Sequence, residues 1–151
     1  MTEPDALAGR LTGEGHELFQ RVYFEDTDFS GFVYHARYLH FLERGRSDYL
    51  RLLGIRHSAL AQEGLAFAVR RMAIEFLQPA RIDDVLSVET RPGALGGARL
   101  MLSQAIRRRA ELLVEAEVLA VLLDRQGRPR RLPAALRQAL AGKTARTALD
   151  E

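Results

Sequence analysis

The residues best equipped for chemistry lie close together in RVYFEDTDFSGFVYHARYLHFLERGR, residues 21–46. Asp26 and Asp28 fall in a turn-rich segment between a strand-like run and a helix-like run. Gly31 gives the backbone freedom there, and His35 falls at about the first helical position. A helix amino terminus presents unpaired N–H groups and a partial positive charge. It can hold an anion, or polarise a carbonyl oxygen that becomes one. A carboxylate facing that end supplies a base or nucleophile beside an oxyanion site, which are the elements of acyl transfer. On residue types alone, a turn or capping role is the stronger reading of Asp28. His35 reads alone as an imidazole capping the helix start, and Asp26 as the member that satisfies loop amides.

The flanking elements must position this turn. Residues 1–17 are polar without a clear period and read as a tail. Glu17–Glu25, with Phe19, Val22, Tyr23 and Phe24, reads as a strand. After Gly31 the period becomes helical. Tyr38, Phe41, Leu42, Gly45, Tyr49, Leu52 and Leu53 form one apolar face, and Gly54 is the stop. Arg37, Glu43, Arg44, Arg46, Asp48 and Arg51 cover much of the rest, with Glu43 and Arg46 spaced as an i,i+3 pair. The helix is about 30 Å long by its rise per residue. A further helical turn is expected at 57–63. Strand-like segments follow at Ala66–Leu77, Asp84–Arg91, Ala98–Arg109 and Leu112–Asp124, the last apolar enough to be covered on both faces. A helix with Pro133 at its first turn closes the domain. The order predicts an α+β domain, one antiparallel five-stranded sheet with one long helix against a face. Exposed edges predict a dimer at least.

Composition narrows the function classes. The chain has 151 residues, 47% hydrophobic and 28% charged, which reads as one globular domain. It has no cysteine, which excludes disulfides, thiolate catalysis and thiolate metal sites. The net charge is +2, and Lys143 is the sole lysine. Arginine forks suit phosphates, but the interspersed acidic residues argue against a nucleic-acid surface. No apolar run is long enough to suggest membrane insertion, and no secretory signal opens the chain, so the expected location is cytoplasmic.

The 21–46 stretch resembles hotdog-fold acyl-CoA thioesterases of the 4-hydroxybenzoyl-CoA thioesterase superfamily, and within it the subgroup associated with the Tol–Pal envelope system. The resemblance is carried by VYFEDTD, Gly31, Tyr34-His35, Tyr38 and Glu43-Arg44-Gly45-Arg46, with weaker matches in FAVRRMAIEF, PARIDDVLSVET, EAEVLAVLLD and GRPRRLP. It covers roughly residues 19–140. It implies a hotdog domain over 18–141, with tails at 1–17 and 142–151. It implies that Asp28 is the catalytic carboxylate, either attacking the thioester carbonyl to form an anhydride or taking a proton from the attacking water. It places oxyanion donors among the backbone amides at His35, whose side chain assists the leaving thiolate or orients water. Phe24, Gly31, Tyr34 and Tyr38 are then candidate substrate-binding residues, although aromatic residues at helical spacing are more often core. Phe24 stands where the subgroup often has a second tyrosine, so a hydroxyl near the carboxylate is lost. The implied partners are acyl-CoA or an acyl carrier protein, and a second copy of the chain, with a tetramer as a dimer of dimers. No cofactor is implied. One of the arginine groups at 70–71, 107–109 or 128–131 would meet the CoA phosphates.

Hydratase chemistry of the same fold usually places Asn-Pro between its Asp and His, and FSGFVY contains neither. A non-catalytic acyl-thioester sensor or an adaptor for envelope or lipid-synthesis proteins is the competing reading. The four histidines, His16, His35, His40 and His57, form no convincing ligand set with nearby carboxylates. Dialysis against EDTA is therefore expected to leave thioester hydrolysis unchanged. Activity lost to the chelator and restored by zinc would show a metal site.

Overall fold

The computed structural model describes residues 9–144, with side chains as far as residue 141. Strands are β1 (Arg10–Leu11), β2 (His16–Arg21), β3 (Ala66–Phe76), β4 (Val85–Leu95), β5 (Arg99–Arg108) and β6 (Glu111–Leu123). Helices are α1 (His35–Leu52), α2 (His57–Gln62) and α3 (Ala134–Thr144), with a short 3-10 helix at Phe24–Asp26. One antiparallel sheet runs in the order β1-β2-β4-β5-β6-β3.

The sheet has six strands where the sequence predicts five. The addition is the two-residue β1, which pairs Arg10 with Glu17 and Leu11 with His16 across a tight turn. Residues 9–17 are thus a hairpin rather than a tail, and 1–8 lie outside the described residues. A polar two-residue strand carries no readable period. Tertiary contacts hold it: the Gly9 amide donates to Asp48 Oδ2 at 2.8 Å, and buried His16 lies 2.7 Å from the same oxygen through Nε2.

The first long strand ends at Arg21 rather than Glu25, because the Tyr23 amide donates to Asp26 Oδ2 at 2.8 Å and turns the chain into the 3-10 helix. β4 runs past Arg91 through Pro92. The ladder is irregular between Pro92 and Leu95, which is where a strand tolerates a residue with no N–H. Arg70 and Arg71, which strict alternation would place on opposite faces, sit at a bulge between Val69 and Arg71. α3 continues to Thr144, into the expected tail, and 145–151 lie outside the described residues.

α1 buries Tyr38, Phe41, Leu42, Gly45, Tyr49 and Leu50 against Leu86, Val88, Leu100, Leu102, Ile106, Val114 and Val118 of the sheet. Leu136 and Leu140 of α3 join the same core. Arg46, expected on the solvent side, is 9% exposed. It stands four residues from both Leu42 and Leu50, at the border of the apolar stripe. Its Nη1 donates to Gln104 Oε1 at 3.0 Å, and Gln104 Nε2 donates to the Leu42 carbonyl and to Thr90 Oγ1, each at 2.9 Å. Burial lowers the Arg46 pKa, and the charge of Glu43 partly restores it. The expected Glu43–Arg46 pair is absent among the described residues because this buried seam takes the guanidinium.

Gly45 sets how closely α1 approaches. A Cβ there would lie 2.8 Å from Val88 Cγ1 and 3.2 Å from Thr90 Oγ1. Gly45→Ala should gain about 1 kcal/mol of helix propensity and lose about 1–3 kcal/mol to overpacking. A net destabilisation of about 1 kcal/mol in urea unfolding is expected. A more stable variant would show that contact to be loose.

Candidate active site

Asp28 opens a four-residue turn. The Gly31 amide donates to the Asp28 carbonyl at 3.1 Å, and the Asp28 amide donates to the Phe32 carbonyl at 3.0 Å. Gly31 has φ +84°, in the left-handed region that favours glycine. The turn is clamped by a Thr27–Val33 bridge, by a Phe32–Arg81 bridge and by the Val33 amide donating to the Ala80 carbonyl at 2.9 Å. Two residues beyond Val33, α1 begins.

The Asp28 carboxylate is exposed and is anchored through one oxygen. Oδ1 accepts from the Ser30 amide at 2.8 Å and from the Ser30 hydroxyl. Among the described residues Oδ2 accepts no hydrogen bond. The Ser30 hydroxyl, and then its amide, holds the carboxyl below the usual aspartate range, against a smaller effect of burial. The sequence offers a signal for this anchor: an Asp whose side chain bonds the backbone two residues on is a recurrent turn. Asp26 is the buried structural member. It takes the Tyr23 amide, and its Oδ1 lies 3.3 Å from Arg37 Nε on the first turn of α1. Arg37 was not among the expected site residues, yet it ties the helix start to the turn.

His35 is the first residue of α1, and its exposed ring meets Phe76 edge-on at 6.0 Å. No side chain caps the helix. The Arg37 amide returns to the Tyr34 carbonyl, while the His35 and Ala36 amides find no acceptor among the described residues. Asp28 and the helix tip therefore belong to one short loop. No hydrogen bond joins Asp28 to His35 among the described residues, and the single chain leaves the carboxylate open to solvent rather than enclosed in a gap facing the tip.

The other expected site residues divide in two. Phe24 is 80% exposed on the 3-10 helix, and Tyr34 is half-exposed with Arg37 over its ring at 5.9 Å. Phe29, beside Asp28 and not singled out by the sequence, is fully exposed. Tyr38 instead is buried; its hydroxyl accepts from the Ala80 amide at 2.9 Å and its ring packs on Phe76. Its place is in the wall that holds the turn, not on an open lining, and burial raises its pKa.

A long helix laid on an antiparallel sheet, with a carboxylate turn leading into its uncapped tip, defines an α+β domain of the hotdog type. The sequence model of the thioesterase-like superfamily matches residues 22–140. The acyl-CoA thioesterase YbgC of Haemophilus influenzae is 45% identical over 115 residues, 76% of this chain and 85% of that protein. The chloroplastic acyl-acyl carrier protein thioesterase ATL3 of Arabidopsis thaliana is 31% identical over 135 residues, 88% of this chain and 71% of that protein. The crystal structure of a probable thioesterase from Bartonella henselae superposes with a TM-score of 0.76 at 50% identity, covering 79% of this chain and 99% of that one. The chain belongs to the thioesterase-like superfamily.

Ser30→Ala removes the hydroxyl that does most to hold the Asp28 carboxyl down. Its titration midpoint, followed by carboxyl 13C NMR, is expected to rise toward the ordinary value of 3.8. An unmoved midpoint would mean that Ser30 is not the anchor.

Proposed function

We propose that the protein hydrolyses acyl-CoA thioesters to the free acid and the thiol, with Asp28 as the acting carboxylate. The observation that carries this reading is the turn. Among the described residues, one oxygen of Asp28 is tied to Ser30, the other accepts no hydrogen bond, and two amides at the start of α1 have no acceptor. A carboxylate held ionised acts either as nucleophile on the carbonyl carbon or as base toward water. The amides of His35 and Ala36 would take the oxyanion, each such donor lowering the barrier by about 2.7–4 kcal/mol. The His35 imidazole assists at the leaving thiolate. Phe24, Phe29 and Tyr34 offer apolar surface to the thioester. The YbgC names support acyl-CoA as substrate, and the ATL3 name supports an acyl carrier protein as a second carrier. Arg107, Arg108 and Arg130 are engaged by Glu89, by Asp84 with Glu111, and by Asp124. Arg70, Arg71, Arg109, Arg128 and Arg131 are the members of those groups left for the CoA phosphates.

The functional unit in this reading is a homodimer, assembling further into a tetramer as a dimer of dimers. β3 is an eleven-residue strand at the end of the sheet, paired on one side only with β6. Val69 and Phe76 on it are nearly half-exposed. An edge of this length and composition invites a second strand, and a copy of β3 antiparallel to itself satisfies it with two-fold symmetry. The YHARYLHFLERGR run supports membership of the Tol–Pal-associated subgroup, with action in the cytoplasm. Among the described residues no helix is long and apolar enough to cross a membrane.

Free-thiol release from a panel of acyl-CoAs tests the reading. Asp28→Asn should cut turnover by roughly two orders of magnitude or more with an unchanged far-UV circular dichroism spectrum. Equal rates for variant and wild type would overturn the assignment. Tight acyl-CoA binding without thiol release by the wild type would favour the sensor or adaptor.

A further inference from the structure

Arg46 is a buried cation that lacks an anion. It is 9% exposed and forms no ion pair among the described residues. Its one side-chain hydrogen bond among them runs from Nη1 to Gln104 Oε1. A guanidinium carries five N–H donors and keeps its charge inside a protein. Holding that charge unpaired and out of water is costly, and an apolar side chain of similar volume is often the more stable choice. An arginine in this state calls for a physical explanation.

The explanation lies in what Arg46 lines. With Leu50, Val69 and Leu102 it walls a cavity of about 110 Å³ between α1 and the sheet. That is roughly the space of three or four water molecules, enough for a carboxylate on a short carbon chain. Gln104 holds Nη1 and is itself fixed by the Leu42 carbonyl and by Thr90. The guanidinium is therefore preorganised, with its other donors left for a ligand. An apolar cavity with a few oriented polar groups is the usual make-up of a small-molecule site. Two parallel N–H bonds from one edge of a guanidinium match a carboxylate.

The other titratable groups in the wall are Glu43 and His57. Glu43 accepts from the Ser47 hydroxyl, and His57 Nε2 lies 3.0 Å from the same oxygen. The Glu43 charge is felt at Arg46 but makes no ion pair with it among the described residues, so it opposes an incoming anion without replacing one. Arg46 follows His35 by eleven residues, about 16 Å along the helix, which separates this cavity from the Asp28 turn of the same chain. We propose that the cavity binds a small carboxylate on Arg46. The carboxylate comes either from a free short-chain acid or from the far end of a dicarboxylic acyl group. Binding stands apart from the thioesterase reading, and only the second source rests on it.

Propionate titrated at constant ionic strength, followed through the Arg46 Nε–H resonance in 15N NMR, tests the binding. A saturable shift in the millimolar range or tighter is expected, with none from propionamide, the neutral analogue. Glu43→Gln removes a like charge from the wall and should tighten binding roughly three- to tenfold. Ala120→Val adds bulk to the wall, leaves Arg46 and Gln104 in place, and should weaken binding about tenfold or more. A second arm compares glutaryl-CoA with valeryl-CoA. If the carboxylate is the substrate's own, Arg46→Met lowers the glutaryl-to-valeryl ratio of kcat/KM about tenfold or more. An unchanged ratio alongside propionate binding assigns the source to the free acid. No saturable propionate shift, or an equal shift with propionamide or in Ala120→Val, would overturn the proposal. A wild-type protein that hydrolyses no acyl-CoA of the panel would bring down the thioesterase reading, while the propionate result still decides this one.

Discussion

The close seat of α1 on the sheet governs the rest of the structure. Two features hold it. Gly45 removes the side chain that would otherwise meet Val88, and Gln104 bonds at once to the Leu42 carbonyl, to Thr90 and to Arg46. The seam is buried, so each polar group in it is costly to leave unpaired and the helix has little freedom to slide. A helix fixed in height and register carries its tip with it. The Asp28 turn inherits this position through Arg37 against Asp26, and through the Tyr38 hydroxyl and the Val33 amide on the two sides of Ala80.

Within that frame the two aspartates have divided tasks. Asp26 is buried, with both oxygens engaged by Tyr23 and Arg37. Asp28 is exposed, and Ser30 engages one oxygen only. The first arrangement spends a carboxylate on structure. The second keeps a carboxylate ionised with one oxygen left open. The Ser30 contact lies entirely within the turn, so the aim of Asp28 does not depend on a distant element.

Much of this could be read in the sequence, where local rules decide. The α1 periodicity located the helix from His35 onward, and the EDTDFSG composition located the turn. The missing pieces are those in which tertiary contacts override local pattern. β1 exists because Asp48 holds Gly9 and His16. Tyr23 and Phe24 have strand propensity but yield to the Asp26 side chain. Arg46 reads as a surface charge until Gln104, 58 residues away, takes its guanidinium. Tyr38 reads from its motif as a candidate pocket residue and from its spacing as core; it is core, and the buried Ala80 amide that fixes its hydroxyl lies 42 residues further on. The family motif located Asp28 as a candidate, whereas the exposure of that residue in one chain is a property no motif carries.

That exposure is best understood together with the apolar surface around it. Phe24, Phe29 and Tyr23 stand well out from the fold, and Val69 and Phe76 are left half-covered on the open edge strand. At about 25 cal/mol per Å², several large apolar side chains left in water forgo stabilisation that a contact would recover. The opposite end of the sheet behaves differently, since it closes on a strand of two residues held by charged partners, a design that resists further pairing. One edge is blunted and the other is long and apolar. The asymmetry leaves β3 as the long open edge, on the same side of the chain as the His35 tip that Phe76 supports.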